Sequence, residues 1–480
     1  MTGLLAGRRR EDRTERVLFA LVANRALAAS SKLAAAGWVN RDTHIEGLAE
    51  VDEDSCYRAM DWLLEIEEPL AEAVYWQVAD LLNLEVDLLF FDTTSTYFET
   101  EHADAPVARD DRGHPLHDQD TDGDGGEGDG GEGGGGEGGA GTGFRTFGHS
   151  KDHRDDLPQV VVGMAVTRTG IPVRCWCWPG NTSDSTLIRQ VKDDLRAWTL
   201  ARVVWVGDRG FSSAANRRYL QRAGGHYILA EKLRSSSPEA TAALSRQGRY
   251  QQVAGNLRVK EVRVADNERF VICHNPDQAT RDQAIREQLV AQLGEAIAGT
   301  DTWSPSRRAE LRGQLRTKPG LNRFLRTTGS GLLRIDRAAA RTEANLDGKF
   351  LLRSSDPSLS AVDIALGYKQ LLEVERGWRD MKQILDLRPV YHRREDRIRA
   401  HVLLCWLALL LIRIAETHTD QTWNQLRTEL RPLHLGTFTG PAGTFGQHTD
   451  PTAAQRGIFT ALGLTPPRRI AELTTADPTA

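Results

Sequence analysis

With 480 residues, 40% of them hydrophobic, and a formal net charge of −5, the chain is long enough for roughly two to four domains and a substantial core. Its five cysteines (Cys56, Cys175, Cys177, Cys273, Cys405) are odd in number and form no CxxC pair, which excludes a disulfide framework and a zinc-thiolate site. The longest apolar run, Val402–Ile412, is eleven residues, short of a bilayer span, and MTGLLAGRRREDRTER is charged where a signal peptide needs an apolar run; a cytoplasmic protein with no membrane partner is expected.

In chain order, residues 1–84 read as a small all-helical domain. Val17, Leu18, Leu21, Val22 and Leu27 recur at helical spacing, a second set (Met60, Leu63, Leu64) stops before Pro69, and a third helix is expected over Leu70–Leu82. Packing, dimerisation and DNA-end binding are all open to such a domain. Residues 85–232 read as the first part of an α/β domain. It opens with VDLLFFD, a buried strand whose last residue, Asp92, delivers a carboxylate to the sheet edge.

Residues 104–142 are Gly- and acid-rich and cannot build a core, so a flexible surface insertion is expected there. The spacing does not match a calcium-binding ligand loop. Its stretch Asp118–Glu137 holds eight acids and no base; set aside, it moves the net charge from −5 to +3, a mildly basic remainder compatible with nucleic acid.

Order is expected to return with a hairpin (Gln159–Thr167, a turn at Gly170, Ile171–Trp178). A helix follows to about Trp198, capped by Ser183 or Asp184. VVWVGDRG then reads as a second buried strand ending in an acid, Asp208, followed by a helix (Ala214–Arg222) and a strand (His226–Ala230). A meander and a helical crossover are expected to set the strands of Asp92 and Asp208 side by side, C-terminal ends together, so that two carboxylates meet in one crevice.

Residues 233–346 read as an inserted domain with strands at Leu257–Val264 and Phe270–His274 and helices near Arg281–Ala298 and Ser306–Arg316. The first domain resumes over 347–415 with a strand at Lys349–Arg353. One helix is then expected through Tyr368–Arg388, carrying Tyr368, Glu375 and Lys382 in one row at seven-residue spacing, with Arg379 on the same stripe. Between Arg376 and Arg399 stand eight basic and four acidic side chains. Val402–Ile412 reads as a buried core helix. The tail, 416–480, has a possible helix at Trp423–Leu430 and no assigned role.

Taken together these blocks resemble a bacterial insertion-sequence transposase of the DDE class, in the branch with the signature Y-x2-R-x3-E-x6-K. Tyr368, Glu375 and Lys382 match it; its arginine position is Leu371 here, with Arg379 as the cation able to stand in. FFDTTSTYFE around Asp92, VVWVGDRGFSS around Asp208, and GHSKDHR, GNTSD and RPVYHRREDRIRAHV are similar to blocks of the same branch. The resemblance implies an RNase H-like mixed sheet flanked by helices and interrupted by a strand-containing insertion. It implies that Asp92, Asp208 and Glu375 are catalytic and hold two Mg²⁺ ions (Mn²⁺ substituting) for phosphoryl transfer on DNA. Tyr368, Arg379, Lys382, Lys151 and Arg209 are the implied DNA contacts.

The implied partners are double-stranded DNA, as terminal inverted repeats and target, and a second copy of the chain in a synaptic dimer. A nuclease of the same fold that cuts without joining, and a non-catalytic DNA-binding remnant, are the alternatives. His149, Lys151 and His153 read as a loop contacting DNA or solvent before a metal site. Trp378 reads as core before a base-stacking residue, and Trp303 is a stacking candidate. His392 and His401 read as structural or phosphate-contacting groups.

Overall fold

In the computed structural model, which describes residues 12–82, 88–110, 112–116, 141–196, 203–234, 237–265 and 268–475, the helical spacing of the N-terminal segment is realised as α1 (Asp12–Ala28), α2 (Lys32–Asp42), α3 (Glu53–Glu65) and α4 (Glu67–Leu82). Val17, Leu18, Leu21 and Val22 are buried, whereas Leu27, in the last turn of α1, is 45% exposed. Helix α2 is additional to the expected set. Its alanine-rich KLAAAGWVNRD has no strong apolar stripe, and Ser31 starts it by accepting a hydrogen bond from Ala34 N. Asp52 starts α3 in the same way, from Ser55 N at 2.7 Å. Helix α4 begins before Pro69 instead of after it, because a proline in the first turn forfeits no intrahelical bond.

The chain divides into two compact units, Met1–Ala201 with Gln370–Ala480, and Arg202–Lys369. The first unit continues with strands β1 (Leu88–Tyr97), β2 (Gln159–Thr167) and β3 (Pro172–Pro179), all antiparallel, and helix α5 (Asp184–Arg196). The expected hairpin is present, turning at Gly170, whose φ of 79° suits glycine. The Gly/acid stretch at 117–140 lies outside the described residues, but its flanks are not the loose insertion expected from 104 onward. Val107 bridges Thr142, Asp104 accepts from Arg145 at 2.9 Å, and Arg109 makes a bidentate pair with Glu395 at 3.0 and 2.9 Å.

The second unit opens with β4 (Val204–Gly207), α6 (Ala214–Leu220) and β5 (His226–Glu231), with β4 and β5 parallel. Helix α7 (Pro238–Ser245) and strands β6 (Gln251–Ala254), β7 (Leu257–Ala265) and β8 (Glu268–His274) follow. Next come α8 (Pro276–Ile297), α9 (Pro305–Arg316), α10 (Pro319–Asn322), the small pair β9 (Leu325–Thr327) and β10 (Leu333–Ile335), and α11 (Arg337–Ala344). Strand β11 (Lys349–Ser354) pairs antiparallel with both β5 and β8, so the sheet here runs β4-β5-β11-β8-β7-β6. The strands expected to form a separate insertion thus extend this sheet. Phe270, Ile272 and Leu351 bury their side chains with Ala240 and Ala243 of α7 in one core, while α8 and α9 close a second core around Leu293, Leu315 and Phe324. Helix α12 (Ala361–Lys369) ends the unit.

Back in the first unit, α13 (Leu372–Gln383) and α14 (Glu395–Thr419) cover the sheet. The single helix expected through Tyr368–Arg388 is interrupted at Gln370–Leu371 and stops at Gln383. The interruption arises from short-range bonding: Glu373 N and Val374 N donate to Gln370 O and Leu371 O, three residues back. Helix α14 is the expected core helix, with Val402–Leu410 and Ile412 buried and Leu411 45% exposed. It is long and apolar enough to cross a membrane, yet 78% of its most apolar window is buried.

Arg413, almost wholly buried, pairs with Asp380 of α13 at 2.7 Å and with Glu416 at 2.6 Å, joining the two helices by charge. The tail is more ordered than expected. Helix α15 (Trp423–Leu430) is where the sequence placed it. It is followed by an antiparallel sheet of β12 (Leu435–Gly440), β13 (Gly443–His448) and β14 (Ile470–Thr475), and by α16 (Ala453–Ala461), which precedes β14 in the chain. All five cysteines are buried free thiols.

The α/β class is as expected: mixed sheet, helices on its faces. In the first unit alternation along β1 explains the layering. Phe91 and Thr93 face α5, together with Trp176 and Trp178, whose indoles donate to Asp194 at 2.9 Å and Gln190 at 2.8 Å on that helix. Asp92 and Thr94 face the other way.

Candidate active site

Asp92 is the fifth residue of the ten-residue β1, not its last, because β2 supplies antiparallel partners for every residue from Asp92 to Tyr97. Its carboxylate is therefore presented from mid-strand on one face of the sheet. The register pairs Asp92 with Met164, which puts both side chains on that face. Helix α13 crosses directly above: a Cβ on Gly377 would stand 2.6 Å from Met164 Cε. Two residues along β1, Thr94 Oγ1 accepts from Lys382 Nζ at 2.8 Å. Glu375 precedes Lys382 by seven residues and shares its stripe of α13, exposed to solvent. The helix thus carries Lys382 over the face that bears Asp92, with Glu375 two turns earlier on its exposed stripe.

The loop before β2 clasps β1 from both sides. Lys151 Nζ lies 3.8 Å from Asp92 Oδ1 and 3.1 Å from Asp184 Oδ2, and donates to Thr93 O at 2.8 Å and to Thr93 Oγ1. Asp184, expected as a helix cap, instead accepts from Thr93 Oγ1 at 2.6 Å. On the α13 side, Asp152 pairs with Lys382 at 2.9 Å and with Arg388 at 2.7 Å, and Arg388 lies over the Tyr97 ring at 5.5 Å. Burial pushes the Lys382 ammonium below its ordinary value, against the opposing pull of Asp152. Asp152, Asp184, Arg388 and the two threonines were not singled out as site residues from sequence. The only signal was the density of charge in SKDHRDD and the Asp closing GNTSD.

In the second unit Asp208 follows β4 directly, as expected, and Tyr368 Oη donates to its Oδ1 at 3.4 Å. Tyr368 packs its ring on Phe350 at 5.9 Å. Tyr368 therefore belongs to α12 with Asp208, while Glu375 and Lys382 belong to α13 with β1; the expected row of three does not survive the helix break. Arg209 and Arg379 are both exposed.

The family profile of the transposase DDE domain matches residues 141–411, more than half of the chain. The chain belongs to the transposase DDE domain family. Among solved structures it is similar to a piggyBac transposase in a synaptic complex with hairpin DNA, at 10% identity and TM-score 0.38, over 88% of this chain and 71% of that one. A search of curated proteins finds no match.

A DDE-family site takes divalent ions, and the donors present suit them chemically, since hard carboxylate oxygens are what Mg²⁺ prefers. Asp92 already has a cation, the Lys151 ammonium, beside it. Among the described residues no three His, Cys, Asp or Glu side chains stand together as a ready set of metal ligands. His149 is 93% exposed in its side chain, close only to Asp155 at 4.0 Å. The two tryptophans considered for base stacking serve otherwise: Trp378 is buried, and Trp303 lies under Arg307, 3.9 Å from its guanidinium. His392 and His401 pack against each other at 5.7 Å. Burial holds the first down to about 4 and the second well below its usual range, so both are neutral at pH 7 and neither acts as an imidazolium there.

Lys382→Met keeps the aliphatic stem and removes the charge. If Lys382 contacts a DNA phosphate, the expected result is about tenfold weaker DNA binding and a salt slope reduced by about one ion. Titrations at several salt concentrations measure this; an unchanged slope removes Lys382 from the phosphate contacts.

Proposed function

We propose that this transposase cleaves DNA at the ends of its own mobile element and transfers the resulting 3′-OH ends into target DNA. What supports the reading is Asp92, held on a sheet face over which α13 lays Lys382, with Glu375 two turns earlier on the same helix, in a chain of the DDE family. In this reading Asp92, Asp208 and Glu375 hold two Mg²⁺ ions, for which Mn²⁺ substitutes. When bound, such ions activate the attacking oxygen and stabilise the leaving one.

The chain's own groups do the rest. Lys382 and Lys151 flank Asp92 with positive charge and hold phosphate oxygens of the strand being cut. Tyr368, whose phenol stands 3.4 Å from Asp208 Oδ1, lies beside that carboxylate. Arg209 and Arg379, exposed and rich in donors, contact the DNA backbone away from the scissile bond. The terminal inverted repeats and target DNA are the proposed substrates, and a second copy of the chain completes the synaptic complex.

The test supplies the full chain with pre-cleaved ends carrying a free 3′-OH, a supercoiled target and Mg²⁺. Joined products are expected. Cutting of uncleaved ends without any joining would make the protein a nuclease of this fold, and absence of both a DNA-binding remnant.

A further inference from the structure

Outside this site the most unusual electrostatics lie at the N-terminal helices of the first unit. A cavity of about 360 Å³ is lined by the end of α1, the start of α2, one face of α3 and the segment leading into α14. Two cations line it and are themselves deeply buried, Arg25 and Lys32, each 4% exposed. Among the described residues neither has a carboxylate within ion-pair distance; Arg25 reaches only Leu385 O, at 3.4 Å. A buried, unneutralised cation pair is costly and needs a reason.

We propose that this cavity is an anion site that takes a phosphate group between Arg25, Lys32 and the N-terminus of α2. The eleven-residue α2 starts at Lys32 on the cavity wall, so its first backbone N–H groups and its dipole favour negative charge. The independent sign of a ligand site is His401. It is 4% exposed and lines the same cavity; its Nε2 faces Leu387 O at 3.3 Å and Cys405 Sγ at 3.9 Å, and among the described residues its buried Nδ1 has no hydrogen-bond partner. A phosphate supplies oxygens for the ammonium and the guanidinium, and inorganic phosphate, unlike a phosphodiester, also carries a P–OH that can donate to the neutral imidazole. Tyr391, 78% exposed, stands at the rim.

The groups facing Lys32 set how its ammonium titrates. Arg25 on α1, with burial itself, pulls its ammonium down to about 8, and the thiols Cys56 on α3 and Cys405 on α14 oppose this weakly. Glu53 on α3 is engaged by the Tyr57 hydroxyl. Asp386 of the segment before α14 is exposed, and His392 beside it is neutral near pH 7. With the folded value below the ordinary 10.5, the unfolded chain binds more protons between pH 8 and 10.5. Stability therefore rises with pH across that window, and a bound anion, by raising the ammonium's affinity for its proton, removes the rise.

Phosphate chemistry has two sources here, a phosphodiester of bound DNA and free phosphate, and the site does not depend on the strand-transfer reading. The experiment compares the full chain with its Lys32→Met variant in thermal unfolding, with inorganic phosphate against NaCl at matched ionic strength. Phosphate well above its Kd is expected to raise the wild-type Tm by roughly 5 °C and to leave the variant unmoved.

Without phosphate the variant should be at least as stable as wild type, which separates a lost site from a damaged fold. Calorimetry at pH 8.5 should show proton uptake on phosphate binding by the wild type only. Equal phosphate shifts in both proteins, or none in the wild type beyond the NaCl control, overturn the proposal. A duplex lacking terminal phosphates distinguishes the sources. If it binds the variant more weakly and is displaced by phosphate from the wild type, the ligand is a DNA phosphodiester. Equal duplex binding with a retained phosphate shift assigns free phosphate.

Discussion

Asp92→Asn is expected to abolish Mg²⁺-dependent cleavage at the element ends, by about 10³-fold or more, which corresponds to at least ~4 kcal/mol of transition-state stabilisation. The substitution keeps the size, exchanges one acceptor oxygen for an NH2 and removes the charge, so the mid-strand backbone between its neighbours Phe91 and Thr93 is undisturbed. Binding of end DNA should be unchanged or slightly tighter, because Lys151, 3.8 Å from the carboxylate, loses a counter-charge and becomes freer to engage phosphate. The measurement is single-turnover cleavage of a labelled end fragment beside a mobility-shift titration. Cleavage within a few-fold of wild type would take Asp92 out of the reaction. The Lys151 ammonium would then be its structural partner and nothing more.

The second large effect is on stability. Gly163 sits in β2 opposite Thr93, and a Cβ there would stand 2.5 Å from Trp178 Cζ3, 2.8 Å from its Cη2 and 3.1 Å from Phe91 Cε2. Trp178 cannot step aside: it is 2% exposed, stacked on Trp176 at 6.1 Å and tied to Gln190 through its indole N–H. Phe91 meets Trp176 edge to face at 5.8 Å, so the ring cluster under β1 is full. Gly163→Val should therefore cost about 3 kcal/mol through overpacking, and the loss should be visible as a lower unfolding midpoint in urea. Because Thr93 lies on that face and orients Asp184 and Lys151, cleavage should also fall in the folded fraction. By contrast Gly377→Ala meets only the mobile end of Met164 and should be tolerated better. A Gly163→Val protein as stable as wild type would mean that the aromatic cluster can repack.

Much of the local structure was legible from residue order alone. The β2–β3 hairpin, the strand before Asp208, the helix Trp423–Leu430 and the burial of Val402–Leu410 follow from alternation, turn residues and apolar runs, which act over a few residues. The blocks around Asp208 and Glu375, which lie within the matched residues 141–411, likewise pointed to the family to which the chain belongs. Errors fell where long-range contact overrode local pattern. Strand β1 continues beyond Asp92 because β2 offers it partners as far as Gln159, and sequence alone does not say how long a neighbouring strand runs.

Charge pairing was the part that only the tertiary structure decided. Lys151 and Asp152 are adjacent in the chain, yet one serves Asp92 and Asp184 while the other holds Lys382 and Arg388. Arg25 and Lys32 look like ordinary helix-surface cations until the packing of α1, α3 and α14 removes them from water. The sequence by itself determined which side-chain types stand on which kind of element, because backbone propensity and side-chain type are local properties. Which cation meets which acid was left to the fold, because Coulomb partners are set by distances through space, and those exist only once the layers have closed.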